Sequence, residues 1–161
     1  MKKIEDCVMS NMIESGPYID PSGLNRFTRA QEKVYYQVVK ELRSSQKQGH
    51  WMWFIFPQMD GLGVTECTKY YAIKNLQEAS EYLRDPVLGR RLIECTEIVL
   101  SIEGKRASEI FGYTDEMKLR SSMTLFELVD NSITLFTKVL EKYFNNERDH
   151  RTLLLIKKLN E

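Results

Sequence analysis

His50-Trp51-Met52-Trp53-Phe54-Ile55-Phe56-Pro57-Gln58 is the stretch around which the rest of the chain has to be arranged. Read as a strand, period two puts Trp51, Trp53 and Ile55 on one face and Met52, Phe54 and Phe56 on the other, so both faces are apolar. Such a segment needs cover on both sides, which makes it central. Its polar residues stand at the ends, His50 at entry and Gln58 at exit, and Pro57 stops its ladder. The loop Asp60-Gly61-Leu62-Gly63 follows. Chemistry is therefore expected at the edge of the core.

Outward from this segment the pattern is helical. Leu24, Phe27 and Gln31, then Val34, Val38 and Leu42, form one stripe at helical spacing. Thr65 and Asn75 are N-caps for two helices, the first reaching about residue 73 and the second covering 76–83. Asp85-Pro86 opens another, because Asp accepts from unpaired amides and Pro suits a first helical position. Its seam is Leu88, Leu92, Cys95, Val99 and Ile102, and Gly104 closes it. Ala107 to Phe111 reads as a short helix stopped by Gly112. Thr114 or Asp115 caps a helix whose apolar residues keep no regular period, and Asn131 or Ser132 caps one carrying Ile133, Phe136, Leu140 and Tyr143. The run 153–156 is either a final packed helix or a frayed end. Residues 1–21, with turn dipeptides Gly16-Pro17 and Asp20-Pro21, read as an N-terminal arm, its Ile4, Val8, Met9 and Met12 covering part of the body, and residues 22–161 as a single globular domain.

Composition narrows the classes of function. The 161 residues suit one domain with a substantial core. Lys plus Arg number 23 and Asp plus Glu number 23, so no global field draws a polyanion or an anionic membrane, and nucleic-acid binding is not expected. No run approaches the roughly 20 apolar residues that cross a bilayer. Cys7, Cys67 and Cys95 are far apart, with no Cys-x-x-Cys pair, and imply a reduced, cytoplasmic compartment. The two histidines, His50 and His150, make no ligand cluster, so neither metal nor cofactor is expected.

Three features carry candidate chemistry. His50 is the proton carrier by residue type, against the alternative of a histidine merely hydrogen-bonded at a strand mouth. Gly61 and Gly63 let backbone amides approach a ligand, and the helix beginning near Thr65 points its amides the same way, which suits an anion; the alternative is an ordinary turn. Lys118, Ser121 and Ser122 share a helix face, bringing an ammonium and two hydroxyls together, or else forming a solvated face. The order Lys-x-x-Ser reverses the serine-nucleophile arrangement, so that chemistry is not carried over.

Leu24-x-Arg26-Phe27-x-x-Ala30-Gln31, the 50–58 stretch, Gly61-Leu62-Gly63, Tyr71, Glu78-Ala79, Tyr82-Leu83, Pro86-x-Leu88-Gly89-x-Arg91-Leu92, Ile110-Phe111-Gly112 and Lys118-Leu119-x-Ser121-Ser122-Met123-Thr124-Leu125-Phe126 resemble the mostly bacterial family called domain of unknown function eighteen-ten. Some members carry the label calpastatin, but nothing in this chain resembles a protease-inhibitor repeat. Ser22-Gly23 departs from the family pattern of an aromatic residue followed by Asp or Asn. The resemblance implies a mainly α, compact single-domain helical fold in which the central apolar segment is extended or helical. A remoter likeness, in helical architecture and the layout of residues 86–112, is to NAD- and ADP-ribose-associated glycosidases, an analogy of fold.

Two expectations of function follow. In the first, His50 and Lys118 are catalytic and Trp51, Gln58, Gly61, Gly63, Ser121 and Ser122 bind a small anionic or nucleotide-like ligand, in a hydrolase acting on a phosphorylated or nucleotide-derived molecule. In the second, the chain is a non-catalytic protein-interaction module presenting an exposed aromatic such as Tyr35, Tyr70 or Tyr82. They separate on whether His50 and Lys118 face one cavity.

Overall fold

Trp51 sets the direction of the core by what its carbonyl accepts. The amides of Phe54 and Ile55 donate to it at 3.4 and 3.2 Å, and the amide of Phe56 donates to Met52 at 3.0 Å. Met52–Ile55 is thus a single helical turn, not the first half of a strand. Period two misreads the segment because Met52, Phe54 and Ile55 are all buried, leaving no polar side to reveal a turn. Only past Phe56 does the chain extend. Pro57 has no amide to donate, and pairing starts immediately after it: Ile73 N donates to Gln58 O and Asp60 N to Ile73 O, both at 2.8 Å. This parallel bridge, Met59 to Ile73, is the only β pairing among the described residues.

The structure, a computed structural model, describes residues 23–161. Expectations for the arm 1–21 lie outside them. The described helices are α1 (Asn25–Glu32), α2 (Tyr35–Arg43), α3 (Met52–Ile55), α4 (Glu66–Tyr70), α5 (Leu76–Arg84), α6 (Leu88–Ser101), α7 (Ala107–Phe111), α8 (Tyr113–Val129), α9 (Leu135–Phe144) and α10 (His150–Leu159). The single stripe expected from Leu24 to Leu42 is two helices, broken at Lys33-Val34. Helix α6 packs on α2, α3, α5 and α9, while α8 packs on α5, α7, α9 and α10. These two helices are the axis of the fold.

Most boundaries have a local cause. The side chains of Thr65 and Asn75 accept from the amides of Thr68 and Glu78, as capping requires. Asp85 Oδ1 accepts from Val87 and Leu88 N, both at 2.9 Å. The seam Leu88, Leu92, Cys95, Val99 and Ile102 is buried throughout. At its end Lys142 and Tyr143 reach across from α9: Lys142 Nζ donates to Leu100 O at 2.7 Å and Tyr143 Oη to Val99 O at 2.6 Å, supplying carbonyls the helix leaves unpaired. Helix α9 starts at Leu135 and not at Asn131 or Ser132, because Asp130 Oδ1 takes the Ser132 amide at 3.0 Å in a local turn. The tail is a packed helix, capped by Asp149.

Helix α8 explains its own lack of period. Leu119 and every residue from Ser121 to Phe126 are buried, so its second half is enclosed nearly all round and needs no polar face there. Two of its hydroxyls bond inside the helix, Ser121 Oγ donating to Met117 O at 3.0 Å and Thr124 Oγ1 to Arg120 O at 2.8 Å, while the buried Ser122 Oγ has no partner among the described residues.

Candidate functional site

Arg26 and Gln31 build the wall before any pocket residue is placed. The Arg26 side chain has no exposure and donates to Tyr70 O and Ala72 O at 2.9 Å each, to Gly23 O at 2.7 Å, and to Glu78 Oε1 at 2.7 Å. It ties α1 to the turn between α4 and α5. Gln31 Nε2 donates to Phe54 O at 2.7 Å, and Tyr82 Oη reaches the same carbonyl at 3.2 Å, so the open end of α3 is satisfied from α1 and α5. Together they fix Trp53 and the backbone at Tyr71-Ala72 in relation to one another.

Between them lies a cavity of about 270 Å³. One wall is the chain from Gln58 to Gly63, continued by Trp53, Thr68, Tyr71 and Ala72; α8 supplies Thr114, Met117, Lys118 and Ser121; Asp149 and Arg151 come from the start of α10. The glycines are required here. Gly61 has φ +102°, and a Cβ on Gly63 would stand 2.5 Å from Thr68 Oγ1. The anion site expected at the helix after Thr65 is reduced, since α4 has only five residues and the Thr68 amide is already held by Thr65 Oγ1.

Charge around the cavity is unevenly compensated. Asp115 accepts from Lys118 Nζ at 3.0 Å through one oxygen and from Lys47 Nζ at 2.7 Å through the other. Two ammoniums share one carboxylate, which leaves that triad one positive charge, while in the lining itself Lys118 and Arg151 stand with Asp60 and Asp149. Burial pushes the Asp115 carboxyl up, but the hydrogen bonds and charges of Lys47 and Lys118 outweigh it and hold it below the usual range. Lys118 also lies 5.1 Å from the centre of the Trp53 ring, and Lys47 5.1 Å from that of Trp51. Arg151, an exposed side chain, donates at 3.4 Å to Leu62 O. Of the two lining carboxylates, Asp149 is occupied by the amide and hydroxyl of Thr152, at 3.0 and 2.5 Å, while Asp60 is exposed.

Gln58, Gly61, Gly63, Lys118 and Ser121 therefore line one cavity. His50, Trp51 and Ser122 do not. His50 is exposed, one residue before the turn that carries Trp51 inward. Trp51 is buried in the core, its indole Nε1 3.4 Å from both oxygens of Glu41. Ser122 is fully buried, one helical step away from the face Ser121 shares with Lys118. The shared pocket of His50 and Lys118 is thus not formed. Nor are the three tyrosines an exposed surface: Tyr82 is fully buried, and Tyr35 and Tyr70 are partly buried, with Tyr35 Oη donating to Glu94 Oε2 at 2.9 Å. Sequence reasoning missed Trp53, Lys47, Asp115 and Arg151. The spacing of Asp115 and Lys118 as a helical ion pair was the one local signal for them.

Cys95 is free and buried, with burial pushing its thiol up to about 12. No helix among the described residues is long and apolar enough to cross a membrane, and no cluster of three or more His, Cys, Asp or Glu side chains among them could hold a metal.

An all-helical single domain with one extended crossover and a small cavity beside it is the class that fold and geometry define. Residues 21–156 match the family described as "Protein of unknown function (DUF1810)", and the chain belongs to it. It is similar to the crystal structure of the conserved hypothetical protein Rv1873 from Mycobacterium tuberculosis, at 46% identity and a TM-score of 0.84, over 86% of this chain and 99% of that one. No curated protein matches the chain.

Proposed function

We propose that this protein binds a small organic anion in the cavity between the 58–63 loop, α8 and the start of α10. The observation that carries it is the charge distribution: Lys47 and Lys118 share the single carboxylate of Asp115, and Lys118 lines the cavity. An anion there completes the pairing of Lys118 without displacing Asp115 from Lys47. Ammonium, ring and the Gln58 side chain give such a ligand charge, apolar contact and a hydrogen-bonding partner in one small space.

In the hydrolytic form of this reading the ligand is a phosphorylated or nucleotide-derived small molecule and Asp60 supplies the base, since it is the exposed carboxylate lining the cavity. His50 is not assigned the role. Ser121 is not assigned a nucleophilic one either, because its hydroxyl donates to the Met117 carbonyl.

The test is a thermal-shift and calorimetric screen with inorganic phosphate, aryl carboxylates, sugar phosphates and nucleoside monophosphates. At about 100 times the dissociation constant a ligand adds roughly 2.7 kcal/mol, or a rise of roughly 5 to 10 °C in a domain of this size. Lys118→Ala should abolish the rise and His50→Ala should retain it. A rise lost in His50→Ala but kept in Lys118→Ala would move the site away from this cavity. Binders are then incubated with wild-type protein and Asp60→Asn, and product release by the wild type alone distinguishes the hydrolase from a binding protein.

A further inference from the structure

The cavity of about 270 Å³ is slightly smaller than the roughly 300 to 1,000 Å³ usual for small-molecule sites, so a long-chain ligand anchored at Lys118 projects from it. What it would meet outside is on both sides of the lining. Val64 follows the lining residue Gly63 and is 86% exposed; Tyr113 precedes the lining residue Thr114 and is 77% exposed; Met117 lines the cavity itself and is 57% exposed. These are large apolar side chains left to solvent on, or next in sequence to, the two elements that supply the glycine loop and Lys118. Exposed apolar residues scattered singly need no explanation, but one in the lining and two adjoining it along the chain do.

We propose that the ligand is an amphipathic organic anion, its carboxylate or phosphate held at Lys118 and Arg151 and its hydrocarbon arm laid against Val64, Tyr113 and Met117. This rests on the anion-binding reading and specifies its ligand class. Lys118 and Arg151 orient the head within a lining they share with Asp60 and Asp149, and the exposed Met117 of the lining, with Val64 and Tyr113 as chain neighbours of lining residues, takes the arm. Trp53, whose ring carries the Lys118 ammonium on its face, and Leu62 give the first carbons of the arm an apolar path out. Longer anions of this kind therefore bind more tightly than short ones.

Isothermal titration with straight-chain alkyl phosphates and carboxylates, from two carbons upward and below their micelle concentrations, reads this directly. Affinity should rise by up to about fourfold per added methylene, the equivalent of ~0.8 kcal/mol, until the arm has covered the exposed residues. The pair of substitutions Val64→Ser and Tyr113→Ser should flatten that rise for long chains. Tyr36→Ser, an equally exposed apolar residue of α2, should leave the slope as in the wild type. Short anions binding as well as long ones would overturn the amphipathic assignment while leaving the anion site standing. A chain-length dependence unchanged by Val64→Ser and Tyr113→Ser would overturn the placement of the arm. No binding by an anion of any length would remove both readings.

Discussion

Arg26 is a charge with no solvent around its side chain, and every donor it uses is committed. Its partners are three backbone carbonyls and Glu78, the latter 11% exposed. Replacing Arg26 by Met keeps the bulk but leaves Glu78 and those carbonyls without their donor. Denaturant unfolding should show a loss of about 3 to 5 kcal/mol. A loss below about 1 kcal/mol would mean that the turn before α5 holds itself. Asp115 gives a prediction in pH. Its folded pKa is held low, so the unfolded chain takes up its proton first as pH falls. The stability it contributes is complete above the unfolded value of about 3.9 and is lost as pH drops through the lower folded value. Asp115→Asn should therefore be less stable than wild type at neutral pH, with the gap closing in acid. A gap that stayed constant would show that packing, not the ionised carboxylate, is what the substitution removes.

At the scale of elements, capping and close approach decide where helices begin and cross. Gly89, at the start of α6, would place a Cβ 2.0 Å from Leu83 O, so Gly89→Ala forces α5 and α6 apart. We expect it to cost about 1 to 3 kcal/mol in chemical denaturation, the range of an overpacked contact. Much of this level was legible in the sequence. Thr65, Asn75 and Asp85 cap as their residue types dictate, and the Leu88 to Ile102 seam faces inward because it keeps helical spacing. Two features were not legible, for physical reasons. A segment apolar on all sides carries no period, so α3 looked like a strand and the helix expected over α8 showed no inward face. Ion pairs between distant residues leave no local pattern, so Lys47 gave no hint that it meets Asp115.

The whole molecule shares one core. Residues of α1, α3, α5, α6, α8, α9 and α10 all enter the same hydrophobic cluster, from Phe27 through Tyr82 and Phe126 to Ile156. Thermal unfolding should accordingly show one cooperative transition, with coincident fluorescence and far-ultraviolet circular dichroism curves. Two separated transitions would divide what the cluster joins. The same scale accounts for which candidate residues meet. Gln58, Gly61 and Gly63 stay together because the bridge to Ile73 fixes their chain, and α8 brings Lys118 and Ser121 to it. His50 stays apart because it is exposed at the entry to the turn, which carries Trp51 and not His50 into the core.

The dependence of α3 on Gln31 and Tyr82 has a consequence in time. Four residues cannot sustain a helix alone, since nucleation is unfavourable and its end carbonyl at Phe54 is satisfied only when α1 and α5 are already in place. The turn is therefore a late event in folding, absent from the transition state. Gln31→Leu should leave the refolding rate nearly unchanged and accelerate unfolding, so that the protein assembles at its usual pace but does not stay assembled as long.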